Sequence, residues 1–115
     1  MKFKAIFPEV TNLTDYKVHF ASGTKDSDPL LVFLQDGFKE WQEDQSKRNF
    51  EREYIISMIS YAPNEWLFAG IFRSLGFNVV DGRYIYSTEL TDIHSDLIGR
   101  LVVGYEKSYR QSYPY

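Results

Sequence analysis

The residues of this chain best suited to chemistry are aromatic and cationic: Trp41, Trp66, Tyr84 and Tyr86, with Arg73, Arg100 and Arg110. Nucleic-acid bases stack on aromatic side chains for roughly 1–3 kcal/mol each, and a flipped base is held between such rings while polar groups read its edge. Arginines supply contacts to phosphate. The stretch Trp66-Leu67-Phe68-Ala69-Gly70-Ile71-Phe72-Arg73 concentrates this potential. As a strand it points Trp66, Phe68 and Phe72 one way and Leu67, Ala69, Ile71 and Arg73 the other. The aliphatic face suits a core. The aromatic face, interrupted by Gly70, is either a second core layer or a wall that leaves room for a flat ligand.

Other chemistries have weaker sequence support. His19 and His94 lie far apart and in no metal-ligand spacing, and the absence of cysteine removes thiolate sites and disulfides. His19 reads as a half-buried strand residue and His94 as part of a polar loop. No nucleophile elbow marks a serine, and none of the glycines forms a phosphate-binding loop. The expectation is a domain without catalytic residues, metal or cofactor.

These residues need a scaffold, and 115 residues suffice for one domain with a single core. The chain is 43% apolar and 25% charged, a globular balance; the aromatic share of 17% is the outlier and suits strands and binding surfaces. A net charge of −3 gives no global attraction to nucleic acid, although Arg100, Lys107 and Arg110 face only Glu106 near the end. No apolar run reaches membrane-spanning length and the first residues lack a signal-peptide core, so the expectation is a cytoplasmic protein with no membrane partner.

Tyr16 to Phe20 alternates as a short strand, and the apolar run Leu30-Leu31-Val32-Phe33-Leu34 reads as a buried strand. Asp36 is expected to cap a helix carrying Phe38 and Trp41 on one face. Tyr54 to Tyr61 reads as a central strand and Trp66 to Leu75 as the next; Phe77 to Val80 forms a short segment before an Asp81-Gly82 turn. Arg83 to Leu90 and Arg100 to Glu106 complete the strands, and Asp92 to Ile98 is a helical turn or a loop. The sum is α+β: a small, mostly antiparallel sheet or partly closed β-barrel with one or two short helices. Tyr84 and Tyr86 would pair beside the Trp66 strand, with Trp41 on a covering helix.

Several stretches together resemble a known family. They are Asp15-Tyr16-Lys17-Val18-His19-Phe20-Ala21, Pro29-Leu30 with Val32-Phe33, Trp41, and Phe50-Glu51-Arg52-Glu53-Tyr54-Ile55. Further along come Glu65 to Phe72, Glu89-Leu90, Ile98-Gly99-Arg100-Leu101 and Arg110. Across residues 15–110 the series resembles the amino-terminal, non-catalytic domain that precedes the catalytic domain in bacterial GIY-YIG nuclease family proteins. The resemblance implies DNA as a partner and an attached nuclease domain outside this chain. Gly70-Ile71-Phe72 and Tyr84-Ile85-Tyr86 echo the nuclease signature but depart from it at Phe72 and Tyr86, so no catalytic residue carries over. Small barrels beside nucleases also resemble the PUA-like group, which includes readers of modified bases. The expected function is recognition of a modified or flipped base; the alternative is a protein-interaction or structural domain.

Overall fold

A computed structural model describes residues 15–103. The elements run β1 (Tyr16–Ala21), α1 (Pro29–Leu34), α2 (Phe38–Glu43), β2 (Asp44–Gln45), β3 (Tyr54–Ala62), β4 (Glu65–Val80), β5 (Arg83–Leu90), a 3-10 turn (Ser95–Leu97) and β6 (Leu101–Val103). The strands form one mixed sheet in the order β1-β3-β4-β5-β2, with β6 added to the start of β4. β4 is shared: its first residues lie between β3 and β6, and its later residues pair with β5. This curls the sheet into a half-barrel, and the two short helices complete the expected α+β class.

β1 is the parallel member of a sheet that is otherwise antiparallel, as expected. It runs parallel to β3, with Val18 opposite Ile56 and His19 opposite Ser57. A parallel neighbour requires a crossover rather than a hairpin, and the segment holding both helices supplies it.

β3 is the central strand that its β-branched sequence predicts. Ile55, Ile56, Met58 and Ile59 are all buried, so both faces of the sheet carry a core. One core gathers Val18, Ile56, Met58, Phe68, Ile71 and Val102. The other gathers Phe38, Phe50, Ile55, Ile59, Phe72 and Tyr86 with further small and aliphatic residues beneath the helices. Each large side chain fully buried this way contributes about 1.5–3 kcal/mol.

Three expectations fail, each for a local reason. Leu30 to Leu34 is helical, because Asp28 caps it: its carboxylate accepts from Leu30 N at 3.1 Å and Leu31 N at 3.3 Å, and Pro29 occupies the first turn. Asp36 does not cap α2; it sits in left-handed backbone at φ 61° and ends α1, leaving Gly37 at the N-cap position with no side-chain bond. Trp66 to Leu75 and Phe77 to Val80 are not separate strands. They form one β4, in which a bulge near Gly76 (φ 110°) absorbs the break.

A second bulge matters more. Ser57 pairs with Gly70 but Met58 pairs with Phe68, so Ala69 is an extra residue on β4. Gly70 has φ 126°, a conformation that L side chains rarely adopt. The bulge reverses the inside–outside phase of the strand. Phe68 and Ile71 therefore share one core, and Leu67, Ala69 and Phe72 share the other. The expected all-aromatic face does not exist.

Candidate ligand cleft beside Trp41

α2 is short, but its consecutive residues do different work. Phe38 and Gln42, four apart, share the face buried against the sheet. Trp41 lies one position round, stacks on Phe38 with ring centroids 5.7 Å apart, and donates its indole N–H to Ser27 Oγ at 2.7 Å. These two contacts fix the ring at the side of a cleft of about 570 Å³ that His19, Ser22, Ser27, Asp44 and Arg83 also line.

Behind the cleft wall, Gln42 is fully buried. Its Oε1 accepts from His19 Nδ1 at 2.8 Å and also from Ser57 Oγ. Its Nε2 has no hydrogen-bond partner. Gln42 is joined to the cleft twice, through His19 and through Gln45, whose Nε2 donates to the Gln42 carbonyl at 2.7 Å. A buried amide N–H without an acceptor costs about 1–3 kcal/mol, so this fully buried polar group is an energetic deficit one bond from a polar cleft.

Charge at the cleft is mixed. Arg83 Nε meets Asp44 Oδ1 at 2.5 Å across the β2–β5 pairing, and Glu40 adds a second carboxylate to the lining. With Arg83 already paired, the lining as a whole does not favour an anion. It suits a neutral, flat, hydrogen-bonding group lying against Trp41.

The residues singled out from sequence are dispersed. Tyr84 and Tyr86 lie on the helix-covered face with Trp41, whereas Trp66 and Arg73 lie on the opposite face. Trp66 meets Phe20 edge-on at 4.6 Å and packs against the first core, with its indole nitrogen buried and unpartnered. Tyr86 is core: its ring lies 5.2 Å from Phe50 and 5.3 Å from Phe77, and burial pushes its phenol pKa up. Tyr84 is half-buried against Phe77. Arg73 is exposed; it lies over the Tyr54 ring at 5.6 Å and reaches Glu89 at 3.7 Å, and its pKa is raised mainly by the hydrogen bond to the Tyr54 hydroxyl. Arg100 is exposed beyond the 3-10 turn, and Arg110 lies outside the described residues. Among the described residues of the expected set, Trp41 is thus the one at the cleft.

His19, Gln42, Ser57, Asp44 and Arg83 complete the site, and sequence reasoning missed their association. One signal was available for Gln42. It falls four residues after Phe38, so an inward-facing Phe38 carries a polar amide inward with it.

A second, apolar groove of about 450 Å³ opens between the helices and the far end of the sheet, lined by Phe33, Leu34, Phe38, Phe72, Leu90 and Ile98 among others. Among the described residues no group of three or more His, Asp or Glu side chains could hold a metal ion, and no helix is long and apolar enough to cross a membrane. Comparison of the chain with protein-family models, curated proteins and solved structures finds no match.

Proposed function

We propose that this domain is a non-catalytic nucleic-acid recognition module that admits an unstacked base to the Trp41 cleft and positions an attached nuclease domain. The observation that carries the reading is Trp41 held rigidly at a polar cleft, with the unsatisfied Gln42 amide immediately behind. The ring offers a stacking surface that tolerates any base, and the polar groups around it offer edge recognition. The mixed lining favours the base over the phosphate. Arg83 replaces Arg73 as the basic residue nearest the ligand, because Arg73 is on the opposite face. The family resemblance supplies the nucleic-acid context and the attached nuclease.

Fluorescence titration tests this directly, since Trp41 and Trp66 are the two tryptophans of the chain. In a Trp66→Phe background, single-stranded or mismatched DNA carrying plain and modified bases is expected to quench Trp41 emission in a saturable way. Intact matched duplex should do so more weakly. An unchanged signal across the whole panel at low salt overturns the reading.

The alternative, a protein-interaction domain, draws on the exposed apolar side chains Leu34 and Leu90 at the apolar groove. It predicts that Trp41→Ala leaves the domain's binding partner unaffected, whereas Leu34→Glu releases it.

A further inference from the structure

The polar groups that line the Trp41 cleft are unequally engaged. Ser27 Oγ takes the Trp41 indole N–H, and Gln45 is used at both ends: its Nε2 donates to the Gln42 carbonyl and its Oε1 accepts from Asn49 Nδ2 at 2.8 Å. Asp44 Oδ1 is held by Arg83 Nε. Glu40 differs from all of these. It is exposed at the lining, and among the described residues no cation or N–H group meets its carboxylate. It directly precedes Trp41 on α2, about 100° round the helix. The cleft therefore carries two open acceptor oxygens on the residue next to its stacking ring. Phe38 covers one face of that ring, with the planes 24° apart, so a base enters against the other face only.

Base edges differ in what they offer a carboxylate. The Watson–Crick edge of guanine presents two adjacent donors, N1–H and the 2-amino group, which match the two carboxylate oxygens. Adenine and cytosine each set an amino donor beside a ring-nitrogen acceptor, and thymine flanks its N3–H with two carbonyls. In each of these a lone pair faces the second carboxylate oxygen, and the mismatched acceptors lose their water without gaining a donor. The remaining edge of guanine is all acceptor, O6 and N7. Arg83 engages Asp44 through Nε alone, which leaves its two terminal nitrogens as donors of the kind that suits this pair.

We infer that the Trp41 cleft selects guanine over the other bases, with Glu40 reading N1–H and the 2-amino group and Arg83 reading O6 and N7. The inference rests on the base-binding role proposed for the cleft and names the base. Trp41 supplies stacking that every base shares, and Glu40 supplies the choice among them. The same pattern extends to altered guanines. Hypoxanthine lacks the 2-amino group and O6-methylguanine lacks N1–H, so each leaves one Glu40 oxygen without a donor.

Oligothymidines carrying one central guanine, hypoxanthine, O6-methylguanine, adenine or cytosine test it, with plain oligothymidine as the sixth ligand. Each is titrated into the Trp66→Phe protein at low salt, and Kd rather than quenching amplitude is compared. A bidentate pair separates the right base from the wrong one by about tenfold, so the guanine oligonucleotide should bind that much more tightly than the adenine, cytosine and plain ones. Hypoxanthine and O6-methylguanine should each lose most of the advantage. Glu40→Gln, close to isosteric at an exposed position, should weaken guanine binding about tenfold and leave the other ligands nearly unchanged, with the same urea midpoint as its parent. That loss would run against charge, since the substitution removes an anion from the path of a polyanion. Saturable quenching with one Kd across the series overturns the inference and leaves the base-binding role standing. So does a guanine preference that survives Glu40→Gln, or a Glu40→Gln protein that binds every oligonucleotide more tightly by the same factor. Absence of quenching by all six overturns both.

Discussion

The Glu43 carboxylate receives both the main-chain N–H and the hydroxyl of Thr88, at 2.6 and 2.8 Å, from 45 residues further along the chain. Both residues are buried, and Thr88 lies beside the β4 bulge, opposite Ser74. The pair joins the last turn of α2 to β5 and so holds the helix that carries Trp41.

Glu43→Ala should accordingly destabilise the fold by about 2–4 kcal/mol, because it removes charge-assisted bonds and leaves a buried N–H unsatisfied. Lys39, 3.0 Å from the same carboxylate but substantially exposed, should matter far less. Lys39→Ala is expected to cost under about 0.5 kcal/mol, as exposed helix pairs usually do. Urea denaturation of both variants measures the contrast, and equal losses would contradict it.

Gly70 gives a backbone prediction. A methyl group there would begin 2.8 Å from Leu90 Cδ1, on a residue whose φ of 126° already disfavours any side chain. Gly70→Ala should cost about 1–3 kcal/mol in thermal or urea unfolding. Adding Leu90→Ala should recover only part, since it relieves the clash but not the dihedral strain. Full recovery would show that contact alone sets the requirement for glycine.

Those two residues also mark where the sequence is legible. β3 and β5 follow from β-branched and alternating residues, and the Asp81-Gly82 turn from its dipeptide, since these signals are local. α1 is not legible from its apolar run, because five consecutive apolar residues have no period; only the Asp28-Pro29 start points to a helix. The two faces of β4 are misread because a single extra residue at Ala69 inverts every side chain beyond it. The cleft is assembled from β1, α2, β2 and β5, and pairings between segments so distant in the chain leave no local pattern.

Tyr86 ties stability to alkaline pH. Its folded-state pKa is raised above the unfolded value of about 10, chiefly by burial, with the Phe50 main chain offsetting part of the shift. The folded state therefore holds the proton more tightly than the unfolded chain. Its full contribution is present below the unfolded pKa and is lost as pH rises through the folded one. Tyr86→Phe should flatten the decline in stability above about pH 10. At neutral pH it should be neutral or stabilising by up to about 1 kcal/mol, because it removes a buried hydroxyl with no well-formed bond. Melting curves of both proteins at neutral and alkaline pH provide the check; a parallel decline would refute the assignment.

The Gln42 amide makes the most direct link between stability and the cleft. Gln42→Met keeps the length and volume of the side chain but takes the shared acceptor from His19 and Ser57. It should destabilise by about 1–3 kcal/mol despite removing the orphaned Nε2, because donors are then left behind. Ser57→Ala in the same protein should restore part of that loss, and a double-mutant cycle reads the coupling. Binding should respond differently. His19 loses the hydrogen bond to Gln42 and keeps its edge-on packing against Phe50, so its ring is held less firmly at the cleft; base-dependent quenching of Trp41 should weaken several-fold in Gln42→Met and stay weak in the double variant even as stability recovers. If affinity instead recovers together with stability, Gln42 serves only the core, and the cleft is read by its lining residues alone.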